Sequence, residues 1–263
     1  MWAADVDKAQ PGDIVLDWGN KVSGSTDTSK GPLFVKVNEN LFQRPVYSKL
    51  IDIYNANLYH PAVCTAEPEI TVCTAEPEIT GDRKTQLDDY MKTLTNTTVF
   101  QLAYQYLVQQ GSASSDFATF YDKLFNLWYG TYSRCKGPLG SSGWEHVFSG
   151  EWKGEEIDGQ HNWVRYYLLE KAGDINYHGY YSHENDLIGT FQYKWKSYFK
   201  KTGGFFISTS PPFDLSIMTV CVLTHPGANA CKFNIDGNKI SITSYHQSCG
   251  AGTCISTDYP SDE

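Results

Sequence analysis

Apolar residues recur at helical spacing through much of the first half of the chain. This spacing predicts helices over residues 87–94, over residues 99–110 ahead of Gly111, and over residues 116–132 with Ser115 as the N-cap. The aromatic residues of the third predicted helix repeat on one face, so we assign them to the hydrophobic core.

The second half of the chain combines shorter helical patterns with strand patterns. The predicted elements are a helix at residues 162–171, strands at residues 187–195 and 204–209, and a helix at residues 213–223. The segment CKFNI–DG–NKISITSY predicts a hairpin that turns at Asp236-Gly237. Helices followed by strands and helices together indicate an α+β protein.

No linker rich in proline or glycine divides the chain, so we predict one domain over residues 1–263. It is expected to contain a helix-rich lobe, about residues 1–135, followed by a lobe of strands and helices, about residues 136–263. A tandem repeat, VCTAEPEIT at residues 63–71 and again at 72–80, is too short for a solenoid. We interpret it as a duplicated, functionally inert surface segment.

Composition indicates a globular protein, and net charge limits the classes of partner that it can bind. Of the 263 residues, 41% are hydrophobic and 14% aromatic. The net charge of −9 excludes nucleic-acid binding through a broad basic surface, so a polyanion would have to bind locally. No apolar run approaches the roughly 20 residues of a membrane span. We expect a protein without a membrane span, and a monomer.

Seven cysteines and one sequon favour an oxidising environment. Cys249 and Cys254 bracket a short loop and could form a disulfide, and Cys221 could pair with Cys231. An odd count leaves at least one thiol unpaired within a monomer. Asn96-Thr97-Thr98 fits a glycosylation acceptor. Although no signal peptide is visible, we expect a secreted or extracellular protein, with the cytoplasm as the alternative.

One segment stands out chemically. SSGWEHVFSGEW, residues 141–152, places His146 between Glu145 and Glu151, among aromatic residues and glycines. A half-buried loop with locally satisfied polar groups would explain this composition. A catalytic site is the other interpretation, and it requires partners elsewhere in the chain.

Two further segments supply such partners. His161 lies at or just before a predicted helix start, where the positive end of the helix dipole disfavours the imidazolium and suits a general base. The segment YKWKSYFKKTGG places four lysines, including Lys200 and Lys201, between aromatic rings. That combination suits phosphate contact and base stacking. A packed histidine and a lysine-protected edge strand are the structural alternatives.

Two histidines and a lysine form a set that suits cleavage of RNA. One histidine takes the proton from a ribose 2′-OH, and the other protonates the departing 5′-oxygen. The lysine stabilises the negative charge that builds up on the phosphorane. The expected product is a 2′,3′-cyclic phosphate, and DNA would resist because it lacks the 2′-OH.

Three blocks of the sequence resemble the EndoU poly(U)-specific endoribonucleases, of the XendoU and placental-protein type. The blocks are SSGWEHVFSGE, HNWVRYYLLEKAGDINY, and a K-x-x-G-x-x-F-I-x-T-S-P pattern that starts at Lys200. The resemblance extends from about Trp2 to Tyr245. It implies an EndoU-type domain that cleaves single-stranded RNA containing uridine.

The resemblance also implies residue roles. His146 matches the general acid, His161 the general base, and Lys200 the catalytic lysine. Lys201 takes that role if the alignment slips by one residue. Glu145 and Glu151 match acids reported as important in the family.

The resemblance further implies that Thr243, Ser244 and Tyr245 form the uridine-recognition segment near the C-terminus. Strand alternation places Thr243 and Tyr245 on one face, whereas the nearest family pattern favours Ser244, so both hydroxyls stay candidates. The family pattern S-P-E-F-E reads Ser210-Pro211-Pro212-Phe213-Asp214 here. This departure puts any role of those acids in doubt.

The resemblance implies a divalent cation as cofactor: Mn²⁺, or Ca²⁺ in some members, would activate the enzyme. No ligand spacing in the sequence marks a metal site, so its residues stay unknown. Two other functions compete with an endoribonuclease. One is a catalytically silent, secreted protein of the same fold that binds RNA or Ca²⁺. The other is a secreted protease, which lacks support because no G-x-S-x-G motif occurs.

Overall fold

Six α-helices occur in the described part of the chain, which comprises residues 1–56, 63–66, 71–72, 75, 77–134, 137–250 and 252–262 of a computed structural model. They are α1 (Pro45–Asn55), α2 (Gly81–Thr95), α3 (Thr98–Gln109), α4 (Phe117–Tyr129), α5 (Trp163–Lys171) and α6 (Pro211–Thr224). Every helix predicted from the sequence is present. Shorter 3₁₀ turns lie at Trp2–Ala4 and Glu39–Gln43.

The ends of α4 differ from the prediction. Its N-cap is Asp116 rather than Ser115, because the Asp116 carboxylate accepts a hydrogen bond from the Thr119 backbone N–H at 3.0 Å. The helix ends at Tyr129 rather than at residue 132. Gly130 leaves the helical conformation there, and the next residues, Thr131–Tyr132, pair as a strand.

The described strands form two larger sheets and two short pairs. They are β1 (Ile14–Leu16), β2 (Phe34–Val37), β3 (Val63–Ala66), β4 (Thr71–Val72), β5 (Thr131–Tyr132), β6 (Ser141–Ser142), β7 (Glu151–Lys153), β8 (Glu156–Asp158), β9 (Ile175–Glu184), β10 (Ile188–Trp195), β11 (Tyr198–Phe206), β12 (Gly227–Ile235), β13 (Asn238–Cys249) and β14 (Gly252–Asp262). The larger sheet has the order β4-β3-β7-β8-β11-β10-β9, and β12, β13 and β14 form an antiparallel sheet. These elements form a single α+β domain, as predicted.

Two strand predictions need correction. The predicted strand at residues 204–209 ends at Phe206 and begins earlier, at Tyr198, so that the lysine-rich segment contains the end of β10, the turn after it and the first part of β11. The predicted hairpin at Asp236-Gly237 is present, but a third strand, β14, follows it. Pro260 argues against a strand in sequence, yet β14 is at the edge of its sheet, where a missing N–H is tolerated.

Two disulfides predicted from the sequence are present. Cys221–Cys231 joins the end of α6 to β12, and Cys249–Cys254 closes the turn between β13 and β14. The side chains of the other three cysteines lie outside the described residues. Most of the tandem repeat also lies outside them, apart from the backbone of β3 and β4 and a few residues before α2, of which Ile79 packs against the core while the others are exposed. No helix among the described residues is both long and apolar enough for a membrane span.

Candidate active site

A π-helical turn, Glu145–Ser149, carries His146 into the protein interior. Trp144 precedes the turn and stacks on Phe148 within it, with ring centroids 4.1 Å apart. Both rings are fully buried, and Trp128 of α4 packs edge-on against Phe148 at 5.7 Å. Burial of these large rings fixes the turn against the helical half of the molecule.

The backbone of this turn is hydrogen-bonded to the residues that precede α5. The Gln160 N–H donates to the His146 carbonyl and the His161 N–H to the Val147 carbonyl, both at 2.7 Å. The approach is possible because residue 159 is glycine: a Cβ there would be 2.0 Å from the His146 carbonyl oxygen. The two imidazole rings therefore come together, with centroids 5.4 Å apart.

The imidazole of His146 is held from both sides. Its Nδ1 is 3.0 Å from Oε1 of Glu151, and its Nε2 is 2.9 Å from the hydroxyl of Thr257 on β14. The carboxylate places the proton of the neutral ring on Nδ1, which leaves Nε2 with its lone pair. Burial, followed by the positive charge of Arg134, lowers the pKa of His146 well below its usual value.

Glu151 is itself surrounded by hydrogen-bond donors. Its Oε1 accepts hydrogen bonds from Arg134 Nε at 2.5 Å and from the hydroxyl of Ser141 at 3.1 Å, besides its contact with His146. Burial raises the pKa of Glu151 to about 7, while the adjacent guanidinium opposes that rise. Glu151 was expected from the sequence, whereas Arg134 was not.

His161 is fixed through its other ring nitrogen. Nδ1 donates to the carbonyl of Gly204 at 2.8 Å, so Nε2 of the neutral ring is free to accept a proton. The ring stacks on Tyr259, with centroids 5.1 Å apart. Its pKa is lowered well below the usual value, chiefly by burial and then by the positive charge of Lys200. The sequence predicted a neutral ring from a different cause, the start of α5.

Lys200 is the lysine that reaches this site. It lies on β11 and is almost fully buried, and its ammonium donates to the carbonyls of Gly159 at 2.8 Å and Ile157 at 3.3 Å. Burial lowers its pKa to about 8. Lys201, the alternative candidate, follows on the same strand with an exposed side chain and is not among the residues that line the cleft.

These groups line one open cleft of about 300 Å³. His146, His161 and Lys200 share it with Asp158, Thr257 and Tyr259.

The acids Asp158 and Glu145 differ in their position relative to the cleft. Asp158 lines the cleft, and its pKa falls to about 2 beside His146, Arg134 and Lys200. Glu145 is fully buried in the turn and is not among the cleft residues.

Proteins of similar sequence identify the family of this chain. The sequence profile of the family described as "Endoribonuclease XendoU" matches residues 1–260. This chain belongs to the XendoU family of endoribonucleases.

Its relatives in that family are moderately similar in sequence. Uridylate-specific endoribonuclease D of Xenopus laevis is 38% identical over 256 residues, which cover 93% of this chain and 79% of the relative. The bovine uridylate-specific endoribonuclease is 34% identical, and the match spans 58% of its length. The solved structure of XendoU, titled a splicing-independent snoRNA-processing endoribonuclease, superposes with a TM-score of 0.77 at 26% identity, covering 100% of this chain and 94% of that one.

The three residues expected to recognise uridine in this family member occupy different environments. The antiparallel register pairs Thr243 with Tyr259, Ser244 with Asp258, and Tyr245 with Thr257. Because paired residues share a face, Thr243 and Tyr245 lie on the side of the cleft and Ser244 on the opposite side, fully buried. The Thr243 hydroxyl is already bonded to Asn229, whereas Tyr245 is 45% exposed.

Thr257 and Tyr259 are cleft residues that sequence analysis missed. Both stand on β14, which was not predicted as a strand. A signal was nevertheless present, because Thr257, Tyr259 and Ser261 alternate as residues on one face of a strand do.

The two positions that depart from the family pattern S-P-E-F-E, Pro212 and Asp214, lie within the buried α6. Asp214 there accepts hydrogen bonds from Thr209 and Asn162, which is a structural role.

One group of potential metal ligands exists among the described residues. His146, Glu151 and Asp158 offer one nitrogen and two carboxylates within 4.8 Å of one another. The donor types would suit Mn²⁺. However, Oε1 of Glu151 already accepts three hydrogen bonds, and the guanidinium of Arg134 adjoins both acids. A resident divalent ion does not fit these three residues in this arrangement.

The close approach at Gly159 yields a prediction about stability. Gly159→Ala should destabilise the protein more than Gly154→Ala by about 1–3 kcal/mol, because only the former drives a Cβ into backbone. The comparison is matched, since the two glycines have φ of +68° and +63°, and nothing lies within 4 Å of a Cβ at Gly154. Denaturant unfolding measures both losses. Equal losses would show that the turn does not depend on this contact.

Proposed function

We propose that this protein is an endoribonuclease that cleaves single-stranded RNA at uridylates and leaves 2′,3′-cyclic phosphate ends. The observation behind this proposal is the convergence of two neutral imidazoles and one ammonium group in a single cleft. Membership of the XendoU family supports the same activity. When a ribose 2′-OH attacks the phosphate, the reaction needs a general base, a general acid and a positive charge, and this site contains all three.

His161 is the proposed general base. Its Nδ1 is committed to the Gly204 carbonyl, and its lowered pKa keeps Nε2 unprotonated near neutral pH. Nε2 takes the proton of the 2′-OH as that oxygen forms a bond to phosphorus. Lys200 stabilises the negative charge that develops on the non-bridging phosphate oxygens.

His146 is the proposed general acid. The bond from phosphorus to O5′ breaks, and O5′ takes a proton from the imidazolium of His146. The buried ring is neutral in the free protein, so it must gain that proton when RNA binds. The negative phosphate favours this protonation, because a nearby anion raises the pKa of an imidazole. Glu151 stabilises the imidazolium from Nδ1.

The base of the cleaved nucleotide is proposed to lie against Tyr259. This ring lines the cleft beside His161, and aromatic stacking contributes roughly 1–3 kcal/mol per base. Tyr245 is retained as an outer contact because it is exposed on the same face of the hairpin. Ser244 is buried on the other face, so the proposal assigns it no direct base contact.

Two rival functions are weaker. A catalytically silent RNA- or Ca²⁺-binding protein would not need two imidazoles with lowered pKa values around a buried lysine. A protease would need a serine or cysteine nucleophile activated by a base, but the serine that lines this cleft, Ser261, is hydrogen-bonded to Ser241 and Asn229 rather than to a histidine. The two disulfides support work in an oxidising compartment, and we propose a secreted monomer.

Stimulation by Mn²⁺ or Ca²⁺ is proposed as well, with the ion bound outside the His146–Glu151–Asp158 group. The net charge of −9 gives a cation a separate role, because it can reduce repulsion between an acidic protein and RNA.

The catalytic roles predict a large and selective loss of activity. His146→Ala, His161→Ala and Lys200→Ala should each slow cleavage of a uridine-containing oligonucleotide by about 100-fold or more, because each removes a proton carrier or a charge stabiliser. Lys201→Ala is the matched control and should stay within a few-fold of the parent. Binding of a 2′-deoxyuridine oligonucleotide should change little. Near-parental cleavage by any of the three variants would refute the role assigned to that residue.

The position of Lys200 predicts an alkaline limit to activity. Its ammonium must be protonated to stabilise the transition state, so kcat/KM should fall as pH rises through about 8, the pKa of this lysine. Lys200→Arg keeps its charge at higher pH and should move that limb upward, even if the rate is reduced. A limb that stays in place in the arginine variant would assign it to another group.

The location of the cation can be tested by titration. EDTA should lower cleavage, and Mn²⁺ or Ca²⁺ should restore it. Asp158→Asn should leave the half-saturating concentration of the cation unchanged, because the ion is proposed to bind elsewhere. An increase of about tenfold or more in that concentration would place the ion at the His146–Glu151–Asp158 group instead.

A further inference from the structure

Arg134 is a buried cation that contacts both sides of the site. It follows β5, and its side chain is only 16% exposed. Nε donates to Oε1 of Glu151 at 2.5 Å and to the hydroxyl of Ser141 at 3.0 Å. Nη2 donates to the backbone carbonyl of Ser256 at 2.6 Å and to the hydroxyl of Tyr132 at 2.8 Å.

These bonds link the two groups that hold His146. Glu151 binds Nδ1 of the imidazole, and it is also the acid that Arg134 binds through Nε. Thr257 binds Nε2, and its backbone is positioned by its neighbour Ser256, whose carbonyl accepts from Nη2 of the same guanidinium. One planar group therefore sets the separation between Glu151 on β7 and strand β14, which hold the imidazole of His146 from its two sides.

The same guanidinium balances the charges around His146. Glu151 faces Arg134, Asp158 and His146, and Arg134 is also 3.7 Å from Asp158. Without this cation, two carboxylates would adjoin the imidazole, and the positive charge nearest to Glu151 would be lost. Arg134 thus supplies positive charge beside two of the three members of the group formed by His146, Glu151 and Asp158.

We propose that Arg134 is the positioning residue of the active site: it fixes Glu151 and strand β14 on opposite sides of the His146 imidazole and acts as the built-in cation of this group. The inference rests on the proposed function, in which His146 is the general acid. Lysine cannot replace it fully, because a single ammonium cannot reproduce the planar fork that bonds Glu151 and Ser256 together.

Cleavage kinetics of Arg134→Ala test the proposal. We expect kcat to fall about 100-fold with KM within a few-fold, because the proton donor is misplaced while the cleft stays open. Glu151 must be ionised to stabilise the imidazolium of His146, so we assign the acid limb of the pH profile to Glu151, whose pKa is about 7. This limb should move up by about 1–3 pH units in Arg134→Ala, since Glu151 loses the cation that favours its ionised form. Guanidinium ion at non-denaturing concentrations should restore part of kcat. Arg134→Lys should keep the limb near its parental position but recover only part of kcat.

Arg165→Ala is the matched control, because it removes a guanidinium that packs over the rings of Tyr54 and Trp195 outside the cleft. It should show neither the shifted limb nor the response to guanidinium. A parental acid limb and no response to guanidinium in a folded Arg134→Ala variant would overturn the proposal. So would full activity of Arg134→Lys.

A second readout separates this proposal from the proposed function. In ¹⁵N NMR spectra, the two ring nitrogens of His146 should show one fixed tautomer in the parent and tautomer exchange in Arg134→Lys, which retains the charge if the alanine variant does not fold. An unchanged tautomer in Arg134→Lys would contradict the positioning role. A further outcome is that the parent protein cleaves no RNA while the spectra of parent and Arg134→Lys differ as expected. In that case the proposed function fails and the positioning role stands.

Discussion

The active site depends on one close backbone approach, in which residues 145–149 bond to the segment that precedes α5. Two hydrogen bonds, from Gln160 to His146 and from His161 to Val147, place the imidazoles side by side. Gly159 makes the approach possible, and its own carbonyl accepts a hydrogen bond from Lys200. The same short segment therefore brings all three proposed catalytic side chains into register, although they are distant in sequence.

Burial determines how those side chains behave. His146, His161, Lys200 and Glu151 are all nearly inaccessible, so each is shifted toward its neutral form. Such groups can exchange protons near neutral pH, which a fully charged cluster in water could not do as readily. Stability is retained because fixed partners satisfy the polar atoms: the Gly204 carbonyl for His161, Thr257 for His146, and Arg134 for Glu151.

Sequence periodicity predicted the hairpin and five of the six described helices, all but α1, because periodicity is a local property. The three proposed catalytic residues could be named from contiguous motifs, which are local as well. Sequence patterns did not find Arg134, Thr257 or Tyr259. Each of these residues acquires its role only through long-range packing, with Arg134 bonded to Ser256 across 122 positions and His146 to Thr257 across 111. Thr257 and Tyr259 lie on β14, and Pro260 within that strand made it difficult to predict from the sequence. Likewise, composition alone could not show that Ser244 faces the interior.

The chemistry at the scissile phosphate tests the central claim most directly. A DNA oligonucleotide with a single ribouridine would be incubated with the protein in ¹⁸O-labelled water, and the fragments would be weighed by mass spectrometry. Attack by the 2′-OH predicts one cut, after the ribouridine, with a 2′,3′-cyclic phosphate that contains no solvent oxygen. Cleavage of the all-deoxy oligonucleotide, or ¹⁸O in the phosphate of the first product, would show that water is the nucleophile and would contradict the account.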